Sequence, residues 1–373
     1  MMRLGVAAAL VDGVYRRGDV EIDDTGRVAA VGVPGRGRGL AVPGLVDLQV
    51  NGFAGVDFLT ADVEGYVGAG AALARTGVLA YQPTLITSAP EQTIAALTIA
   101  GKAEAETTQG GAVGARILGV HLEGPFLSPE RPGTHPTELL RAPDTTLARQ
   151  LLTAGPVTQM TLAPELPGAL DVITACVRAE VLISCGHSYA TAAQAHAAFD
   201  HGARMVTHLF DAMRPFTHRD PGIVGAALTR GDILLGLIAD PNHLAAETIQ
   251  LAFRAAPGRV VLVTDALAAS GCPDGHYRLG EVEFDVAEGV ARRADGTLVG
   301  STITLLDAVR HACDAGVPLE SAVTAATHTP AALFPGQGVG LLRPGDPADV
   351  LVLDDSLTVR TVLHHGAPLD TEP

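Results

Sequence analysis

The amino-acid sequence predicts an α/β protein: a (β/α)8 TIM-like barrel joined to a small β-sandwich domain that both termini build together. Three observations lead to this fold class. Apolar β runs alternate with alanine-rich amphipathic stretches, polar residues fall where those runs end, and both ends of the chain are β-rich. The length of 373 residues accommodates one barrel of about 250 residues together with a small partner domain.

The composition is that of an acidic protein with a large aliphatic core. Hydrophobic residues make up 47% of the chain and charged residues 18%, whereas aromatic residues make up 4% and Trp is absent. The net charge of −16 argues against a nucleic-acid partner, which would require a basic surface. Because no apolar stretch reaches the roughly 20 residues of a membrane-spanning helix, no membrane partner is expected.

Cysteine usage and the N-terminal residues predict a cytoplasmic location. The four cysteines show no CxxC spacing, which favours a reducing compartment over a disulfide framework. The apolar residues 4–11 are followed at once by Asp12-Gly13. Since no small-residue cleavage site is evident, we interpret this stretch as a strand and not as a signal peptide.

Short strands separated by turns are predicted in the first 43 residues, at 4–11, 14–17, 19–22 and 28–33. Pro43-Gly44 then leads into the first of eight apolar β runs. Continuous runs of this kind suit strands that are buried on both faces, as in parallel sheets. The eight predicted barrel strands are residues 45–52, 78–86, 117–121, 159–163, 181–184, 205–208, 233–239 and 260–264.

Amphipathic stretches between these runs predict helices at 61–76, 91–106, 190–201 and 245–255. This alternation implies parallel strands joined by helical crossovers. The last third of the chain does not follow this alternation. It has a group of short predicted strands at 274–297, which we call the β excursion, then helices at 301–314, 319–325 and 330–333, and strands at 350–353 and 359–364. We therefore expect residues 1–43 and 343–373 to form the small domain and residues 44–342 to form the barrel.

Polar side chains end most of the predicted barrel strands, and a barrel gathers the carboxyl ends of its strands around one mouth. Taken singly, each histidine would be a hydrogen-bonded buried imidazole as readily as a ligand, and a lone glutamate would be held by a salt bridge. Several such residues in phase with the strands indicate a functional site. They are Gln49, Asn51, His121, Glu123, His187, His208, Asp240, His243 and Asp265.

Histidine together with carboxylate is the ligand set expected for zinc or a related divalent ion. Glu123, His187 and His208 would supply three ligands and leave a fourth position free, which is the arrangement of a catalytic site. Asp265, at the end of the last strand, would be the general base. Cys185 is a competing soft ligand. The expected cofactor is one divalent metal ion, Zn, with Fe, Co or Mn as alternatives.

The whole chain resembles the N-acetylglucosamine-6-phosphate deacetylases of the amidohydrolase superfamily, and the order and spacing of the matching motifs extend through the full barrel. The matching stretches are Pro43-Gly44-Leu45-Val46-Asp47-Leu48-Gln49-Val50-Asn51-Gly52, Pro83-Thr84-Leu85-Ile86-Thr87, His121-Leu122-Glu123-Gly124-Pro125-Phe126, Gly133-Thr134-His135, Thr161-Leu162-Ala163-Pro164-Glu165, Gly186-His187-Ser188, Thr207-His208-Leu209-Phe210, Arg219-Asp220-Pro221-Gly222, Val263-Thr264-Asp265-Ala266 and Gly300-Ser301.

The resemblance implies a fold of the amidohydrolase type, the same three metal ligands, and Asp265 and His135 as catalytic residues. It also implies a homodimer. Gln49 and Asn51 stand where many superfamily members carry a His-x-His pair that holds another metal, so one metal ion is expected. The resemblance further implies substrate contacts from Thr134, His135, Asp211, Ala212, Arg219, His243, Leu298 and Gly300.

The activity implied by the resemblance is removal of the acetyl group from a small-molecule amino sugar, N-acetyl-D-glucosamine 6-phosphate, to give glucosamine 6-phosphate and acetate. This chain has Asp211 where the family usually has Asn. A carboxylate there would repel a phosphate dianion unless it were protonated or paired with Arg214 or Arg219. Pro241 also stands where the family usually has glycine. The alternative substrate is therefore an unphosphorylated or differently charged N-acetyl amino sugar or aminocyclitol.

Two more distant alternatives are disfavoured by the sequence. Cyclic amidases and N-acyl-amino-acid hydrolases usually carry the first-strand histidine pair and a bridging lysine, whereas this chain has no lysine after Lys102. A metal-free sugar-sensing scaffold would require the ligands to be lost, and all three are present.

Overall fold

The computed structural model describes residues 1–109 and 114–370, and its centre is a parallel eight-stranded barrel. All eight predicted barrel strands are present, so the predicted fold class is confirmed. Several are shorter than predicted because the polar ends curve away from the ladder into loops. The barrel strands are Leu45–Val50, Val78–Ile86, Val120–Glu123, Val157–Leu162, Leu182–Cys185, Met205–Val206, Leu234–Leu237 and Val260–Leu262.

The barrel closes between its first and last strands through residues that follow the last strand. Consecutive strands pair in parallel from the first to the eighth. Across the seam, the Asp265 amide donates to the Gln49 carbonyl at 2.9 Å and the Asn51 amide donates to the Ala266 carbonyl at 2.8 Å. These bonds bring the ends of the first and eighth strands together at the carboxyl mouth.

One helix follows each barrel strand, as a (β/α)8 barrel requires. The four helices predicted between strands and those predicted after the β excursion are confirmed to within a few residues. Three crossover helices were not predicted: Thr145–Ala154, Ala169–Arg178 and Gly222–Thr229. The eight crossover helices are Val63–Arg75, Pro90–Gln109, Thr145–Ala154, Ala169–Arg178, Ala192–Asp200, Gly222–Thr229, Ala246–Ala255 and Leu305–Asp314.

Both termini contribute strands to one six-stranded sheet, which packs against a three-stranded sheet. The junction is the antiparallel pairing of Leu40–Pro43 with Val350–Leu353. The strands of the larger sheet, in spatial order, are Ala367–Pro368, Val359–His364, Val350–Leu353, Leu40–Pro43, Ala8–Val11 and Val14–Arg17. Those of the smaller sheet are Met2–Arg3, Asp19–Ile22 and Val28–Val33.

Alternate residues of the larger terminal sheet face two different cores, because side chains along a strand point to opposite faces. Ala41 and Val350 pack with Val20 of the smaller sheet, whereas Val42 and Leu351 join the main core of the barrel. We propose residues 1–43 and 343–373 as one terminal domain and residues 44–342 as the barrel domain; residues 371–373 lie outside the described residues.

The predicted β excursion is an antiparallel three-stranded sheet of Gly275–Leu279, Val282–Ala287 and Val290–Arg292. Its last strand leads back to the barrel mouth through residues 293–300. Among residues 1–109 and 114–370, none of the helices combines the length and apolar character that a membrane crossing demands. The remaining elements are Gly52–Phe53, Val56–Asp57, Arg116–Ile117, a 3-10 turn at Thr137–Leu139, and helices Leu319–Ala325 and His328–Ala331.

Candidate active site

Three predicted ligands meet at the carboxyl mouth of the barrel. Glu123 ends the third strand, while His187 and His208 follow the fifth and sixth strands. Glu123 Oε1 lies 3.2 Å from His187 Nε2 and 3.0 Å from His208 Nε2, and the two ring nitrogens are 3.1 Å apart. All three residues are buried. We call them the mouth triad.

The spacing of the mouth triad fits the ligands of one divalent ion. Zinc bonds of about 2.0–2.2 Å place neighbouring tetrahedral ligand atoms roughly 3.3 Å apart. A fourth group, His135 Nε2, lies 3.7 Å from Glu123 Oε2, so the same carboxylate also approaches a third imidazole. The other ring nitrogen of His187 lies 3.0 Å from the Arg131 carbonyl. An outer hydrogen bond of this kind orients metal-binding histidines.

The electrostatics of the mouth triad call for a cation between its members. Burial acts to raise the pKa of Glu123, but hydrogen bonds from His187 and His208 hold that pKa well below its usual range. Burial acts to lower the pKa of His208, and its hydrogen bond to Glu123 raises it to about 9. The ionised carboxylate thus demands a positive charge among the imidazoles, which a proton or a metal ion supplies.

Three residues of this site have a strained backbone conformation. His187, His208 and Asp265 have positive φ angles of 47°, 29° and 51°. Residues other than glycine adopt this region at a cost of roughly 1–3 kcal/mol each, and such residues cluster at functional sites. The positive φ angle redirects each side chain toward the site immediately after its strand. Gly300 permits the close approach of the next segment, since a Cβ there would lie 2.6 Å from the Asp265 carbonyl oxygen.

Gln49 and Asn51 organise the two carboxylates of the site. Gln49 Nε2 donates to Glu123 Oε1 at 3.1 Å and to Asp265 Oδ1 at 3.0 Å, and Asn51 Nδ2 donates to Asp265 Oδ1 at 2.7 Å. The sequence analysis identified these amides only as replacements for a metal-holding histidine pair, and it missed the bridge that Gln49 forms between Glu123 and Asp265. Burial raises the pKa of Asp265, and the neighbouring Glu123 charge raises it further, which suits a carboxylate that must exchange a proton.

His135 presents a ring N–H to the site. Its Nδ1 accepts the backbone N–H of Thr87 at 3.2 Å. Burial lowers the pKa of His135 to about 3, so the ring is neutral and its single proton is on Nε2. That nitrogen faces Glu123, and it is positioned to donate to an oxygen held at the mouth triad.

A cavity of about 580 Å³ opens above the mouth triad, within the usual size range of small-molecule sites. Nearly all the predicted site residues line it, whereas Arg219 is exposed and does not. The predicted residues that line it are Glu123, Thr134, His135, His187, His208, Asp211, Ala212, His243, Asp265, Leu298 and Gly300.

Two arginines that line the cavity were not predicted. Arg131 lies on the loop after the third strand, with its guanidinium 5.0 Å from the centre of the Tyr189 ring. Arg292 comes from the end of the β excursion. Because neither lies at a strand end of the barrel, the pattern of polar residues at strand ends could not predict them. Glu165 holds the Tyr189 loop by accepting from Ser188 Oγ at 2.7 Å.

Two titratable residues beside His208, His243 and Asp211, differ in their hydrogen bonding. His243 Nδ1 lies 3.2 Å from Asp240 Oδ2; burial acts to lower the pKa of His243, and this hydrogen bond raises it. Within residues 1–109 and 114–370, Asp211 Oδ2 is buried without a hydrogen-bond partner. Burial raises the pKa of Asp211 to about 6. Arg214 does not neutralise Asp211, because it forms its salt bridge with Asp220.

The strand-end candidates Gln49, His121 and Asp240 do not line the cavity, and neither does the competing ligand Cys185. His121 is fully buried in the barrel, where its ring nitrogens contact Thr84 Oγ1 at 3.1 Å and Thr161 Oγ1 at 2.7 Å. It is therefore a hydrogen-bonded core histidine. Cys185, weighed as a soft ligand, is also fully buried, and burial raises the pKa of its thiol. Neither side chain joins the mouth triad.

Comparisons with known proteins show the family of this chain. Residues 40–369 match the model of the amidohydrolase family. A mouse protein named N-acetylglucosamine-6-phosphate deacetylase is 41% identical over 352 residues, which cover 88% of this chain and 83% of the mouse protein. An N-acetylgalactosamine-6-phosphate deacetylase from Escherichia coli O157:H7 is 39% identical over 340 residues, covering 90% of this chain and 89% of that protein.

A solved structure shows the same fold over nearly the whole chain. It is a mutant N-acetyl-D-glucosamine-6-phosphate deacetylase from Mycobacterium smegmatis in complex with N-acetyl-D-glucosamine-6-phosphate, with 35% identity, a TM-score of 0.91 and 98% coverage of both chains. The family match and these relatives confirm the resemblance seen in the motifs. The chain belongs to the amidohydrolase family and, within it, to the N-acetylglucosamine-6-phosphate deacetylases.

Proposed function

We propose that this protein hydrolyses the acetamide of N-acetyl-D-glucosamine 6-phosphate, releasing glucosamine 6-phosphate and acetate. One observation carries the proposal: a three-ligand triad, a carboxylate suited to proton exchange and a neutral imidazole N–H converge at the floor of one cavity. These are the groups that hydrolysis of an unactivated amide requires. The relatives named for this reaction support the choice of substrate.

Glu123, His187 and His208 would hold one divalent ion, for which we propose Zn²⁺, with Fe²⁺, Co²⁺ or Mn²⁺ as alternatives. Two imidazoles and a carboxylate are typical zinc ligands. When bound, such an ion supplies Lewis acidity, which polarises the amide carbonyl and makes water more acidic. Gln49 and Asn51 donate hydrogen bonds to the carboxylates and complete no second ligand set.

Asp265 is the proton carrier of the proposed reaction. Its carboxylate takes a proton from the attacking water, and the carboxylic acid then gives that proton to the amide nitrogen, because an amine cannot leave as an anion. The hydrogen bonds from Gln49 and Asn51 to Oδ1 keep the carboxylate in one orientation. The other oxygen, Oδ2, is left for proton transfer.

His135 stabilises the negative charge that develops on the carbonyl oxygen. Because Thr87 donates to Nδ1, the imidazole offers its Nε2–H at that position without reorientation. A preorganised donor of this kind is worth about 10²–10³ in rate, as in other oxyanion holes. Thr134, the residue before it, also lines the cavity and would contact the substrate.

The phosphate end of the substrate would be recognised by cationic groups around the cavity. His243 is oriented by Asp240, the Arg131 guanidinium comes from the loop after the third barrel strand, and the Arg292 guanidinium comes from the last strand of the β excursion. Ala212, Leu298 and Gly300 would contact the sugar. The resemblance implied a homodimer and a substrate contact from Arg219. Because Arg219 is exposed in the single chain, we propose that it reaches the phosphate across the homodimer interface. A cytoplasmic location remains part of this proposal and draws on the four unpaired cysteines.

A second candidate substrate follows from Asp211. Its buried Oδ2, which has no hydrogen-bond partner among the described residues, would accept a hydrogen bond from a sugar hydroxyl, or from an ammonium group in a substrate without phosphate. The match to an N-acetylgalactosamine-6-phosphate deacetylase makes the galacto epimer one form of this candidate. An unphosphorylated amino sugar or aminocyclitol is another.

The test is release of acetate and free amine by the Zn²⁺-loaded protein from four substrates: N-acetylglucosamine and N-acetylgalactosamine, each with and without the 6-phosphate. We expect equimolar products and the highest kcat/KM for N-acetylglucosamine 6-phosphate. A higher value for the galacto epimer would favour the second candidate, and a higher value for the neutral sugars would remove the phosphate from recognition. No acetate from any of the four would contradict the deacetylase proposal.

A further inference from the structure

A second group of metal-ligating side chains lies in the terminal domain, outside the barrel. Asp349 immediately precedes the strand Val350–Leu353, and His364 ends the antiparallel neighbour Val359–His364. His365 begins the turn that follows. Because Val350 pairs with Leu363, the carboxylate and the two imidazoles lie at the same end of the strand pair. We call Asp349, His364 and His365 the terminal cluster.

The two imidazoles of the terminal cluster converge on one carboxylate oxygen. Asp349 Oδ1 lies 3.1 Å from His364 Nδ1 and 3.9 Å from His365 Nδ1. The rings are neighbours, with centroids 4.3 Å apart and an angle of 44° between their planes. One ligand atom from each residue lies within 4.8 Å of the other two. Ligand atoms on one zinc ion are separated by roughly 3–4 Å, so small side-chain movements would bring all three onto one ion.

The turn fixes the positions of these ligands before any ion binds. His365 and Gly366 both have positive φ, 49° and 77°, and they form the two-residue connection between paired strands. The His365 amide donates to Asp349 Oδ1 at 2.8 Å. The Gly366 amide donates to the Ala348 carbonyl at 3.0 Å. The carboxylate is therefore tied to the turn that carries the histidines, and little backbone freedom remains to be lost on binding.

Accessibility differs across the terminal cluster in the way an ion site needs. The Asp349 and His364 side chains are 14% and 17% exposed, whereas the His365 side chain is 65% exposed. A cation therefore has an open approach past His365 to two largely buried ligands. Since the third ligand faces solvent, water would complete the coordination shell.

We propose that the terminal cluster binds a late first-row divalent cation such as Zn²⁺, through Asp349, His364 and His365. The ion would join the start of one strand to the end of its neighbour. The ion would also be linked to the N-terminal part of the domain through the backbone. Ala348, the residue before Asp349, donates its amide to the Gly26 carbonyl at 2.9 Å. Its expected effect is to stabilise the sheet that both termini build, since a ligand that binds only the folded state favours folding.

The test is calorimetric titration of the chelator-treated full-length protein with Zn²⁺. We expect two classes of site, a tight class at the mouth triad and a weaker class at the terminal cluster. His365→Asn should weaken the second class at least tenfold and leave the tight class in place. Asparagine adopts positive φ readily, so this variant keeps the turn while it removes the imidazole. Asp349→Asn should have the same effect.

The matched control is His276→Asn. His276 also pairs with a single carboxylate, Asp285 at 2.9 Å on the exposed β excursion, and it should not contribute to the second class. A single class of site in the parent protein would overturn the proposal. So would a second class that persists in His365→Asn, or one that His276→Asn removes equally. These outcomes concern only the weaker class, so they are independent of deacetylase activity.

Discussion

The mouth triad and the terminal cluster both combine one carboxylate with two imidazoles, yet they differ in burial and in origin. The side chains of the mouth triad are 3–6% exposed, whereas those of the terminal cluster are 14–65% exposed. Three barrel strands far apart in sequence supply the first group. A strand start and one hairpin turn supply the second. Similar residue types therefore arise in one case from the global fold and in the other from a local turn.

This difference in burial decides what each group can do. Charges interact more strongly where water is excluded, and the mouth triad is joined there by Asp265, His135 and the amides of Gln49 and Asn51. The surroundings shift pKa values and aim donors at a reacting atom, which is what catalysis needs. At the terminal cluster, solvent screens the charges. There we expect a contribution to stability and none to chemistry.

The largest effect should follow from Glu123→Gln. The variant removes the only carboxylate of the mouth triad. Two neighbouring imidazoles then remain without the negative charge that stabilises a cation between them. We expect the bound metal to be lost and turnover to fall by more than about 10³-fold, because Lewis acidity is removed together with the ion. Elemental analysis and an acetate-release assay measure the two losses.

The metal count should be made in a His365→Asn background, so that the terminal cluster does not contribute to it. The expected content before mutation of Glu123 is about one ion per chain, because Gln49 and Asn51 provide no second ligand set. Two tightly held ions in that background would refute the single-metal site. Full retention of the ion in Glu123→Gln would remove this carboxylate from the ligand set.

A smaller loss is expected from Gln49→Met, which keeps the volume of the side chain but removes both hydrogen bonds to the carboxylates. Partners of this kind are typically worth 10–100-fold in metal affinity or activity. We expect kcat to fall in that range with little change in KM. The control is Gln82→Met, another buried barrel glutamine that donates to Thr158 Oγ1 at 2.7 Å and contacts neither carboxylate. Equal losses in both variants would indicate general damage to the barrel.

Asp211→Asn should change specificity and not the chemical step. If the substrate carries a 6-phosphate, removing the negative charge should raise kcat/KM for it by roughly tenfold, since about 1.4 kcal/mol of repulsion between nearby charges is relieved. If the substrate is neutral or cationic, the same variant should lower kcat/KM, because the carboxylate would have accepted a hydrogen bond. Assays of parent and variant on both sugar forms distinguish these outcomes by sign.

The smallest effect concerns the terminal cluster. At a Zn²⁺ concentration ten times the dissociation constant, binding adds about 1.4 kcal/mol to the stability of the folded state. For a chain of this size, that corresponds to an increase in Tm of about 2 °C or less. Thermal unfolding with and without Zn²⁺ should show the increase in the parent but not in His365→Asn, with the mouth triad saturated in both. An equal increase in both proteins would assign it to another site.

The barrel was predictable because its strands are continuous apolar runs that end in polar residues. The helix Gly222–Thr229 was missed for a related reason. Seven of its residues, 222–228, are buried, so it lacks the polar face that marks an amphipathic helix. The helix Thr145–Ala154 did carry a signal, since Asp144 caps it by accepting from the Thr146 amide at 2.6 Å, a type of N-cap that sequence reveals.

The candidate site was predictable where residues lie in phase with barrel strands. The positions of barrel-strand ends carry no information on other parts of the chain. Arg131 on a loop and Arg292 at the end of the β excursion were therefore missed. The positions of strand ends also do not show which hydrogen bonds form within the mouth, so only the structure revealed that Gln49 bridges Glu123 and Asp265. Arg219 illustrates a different limit. Its proposed role depends on a second chain, and the single chain places it at the surface.

The most direct test of the proposed mechanism is turnover of N-acetylglucosamine 6-phosphate by Asp265→Asn at full metal occupancy. The variant keeps an oxygen and the side-chain volume but cannot carry the proton. We predict about one ion per chain in the barrel, unchanged thermal stability within about 1 kcal/mol, and a kcat lower by about 10²–10⁴-fold. Turnover equal to that of the parent protein, with the metal retained, would contradict the account.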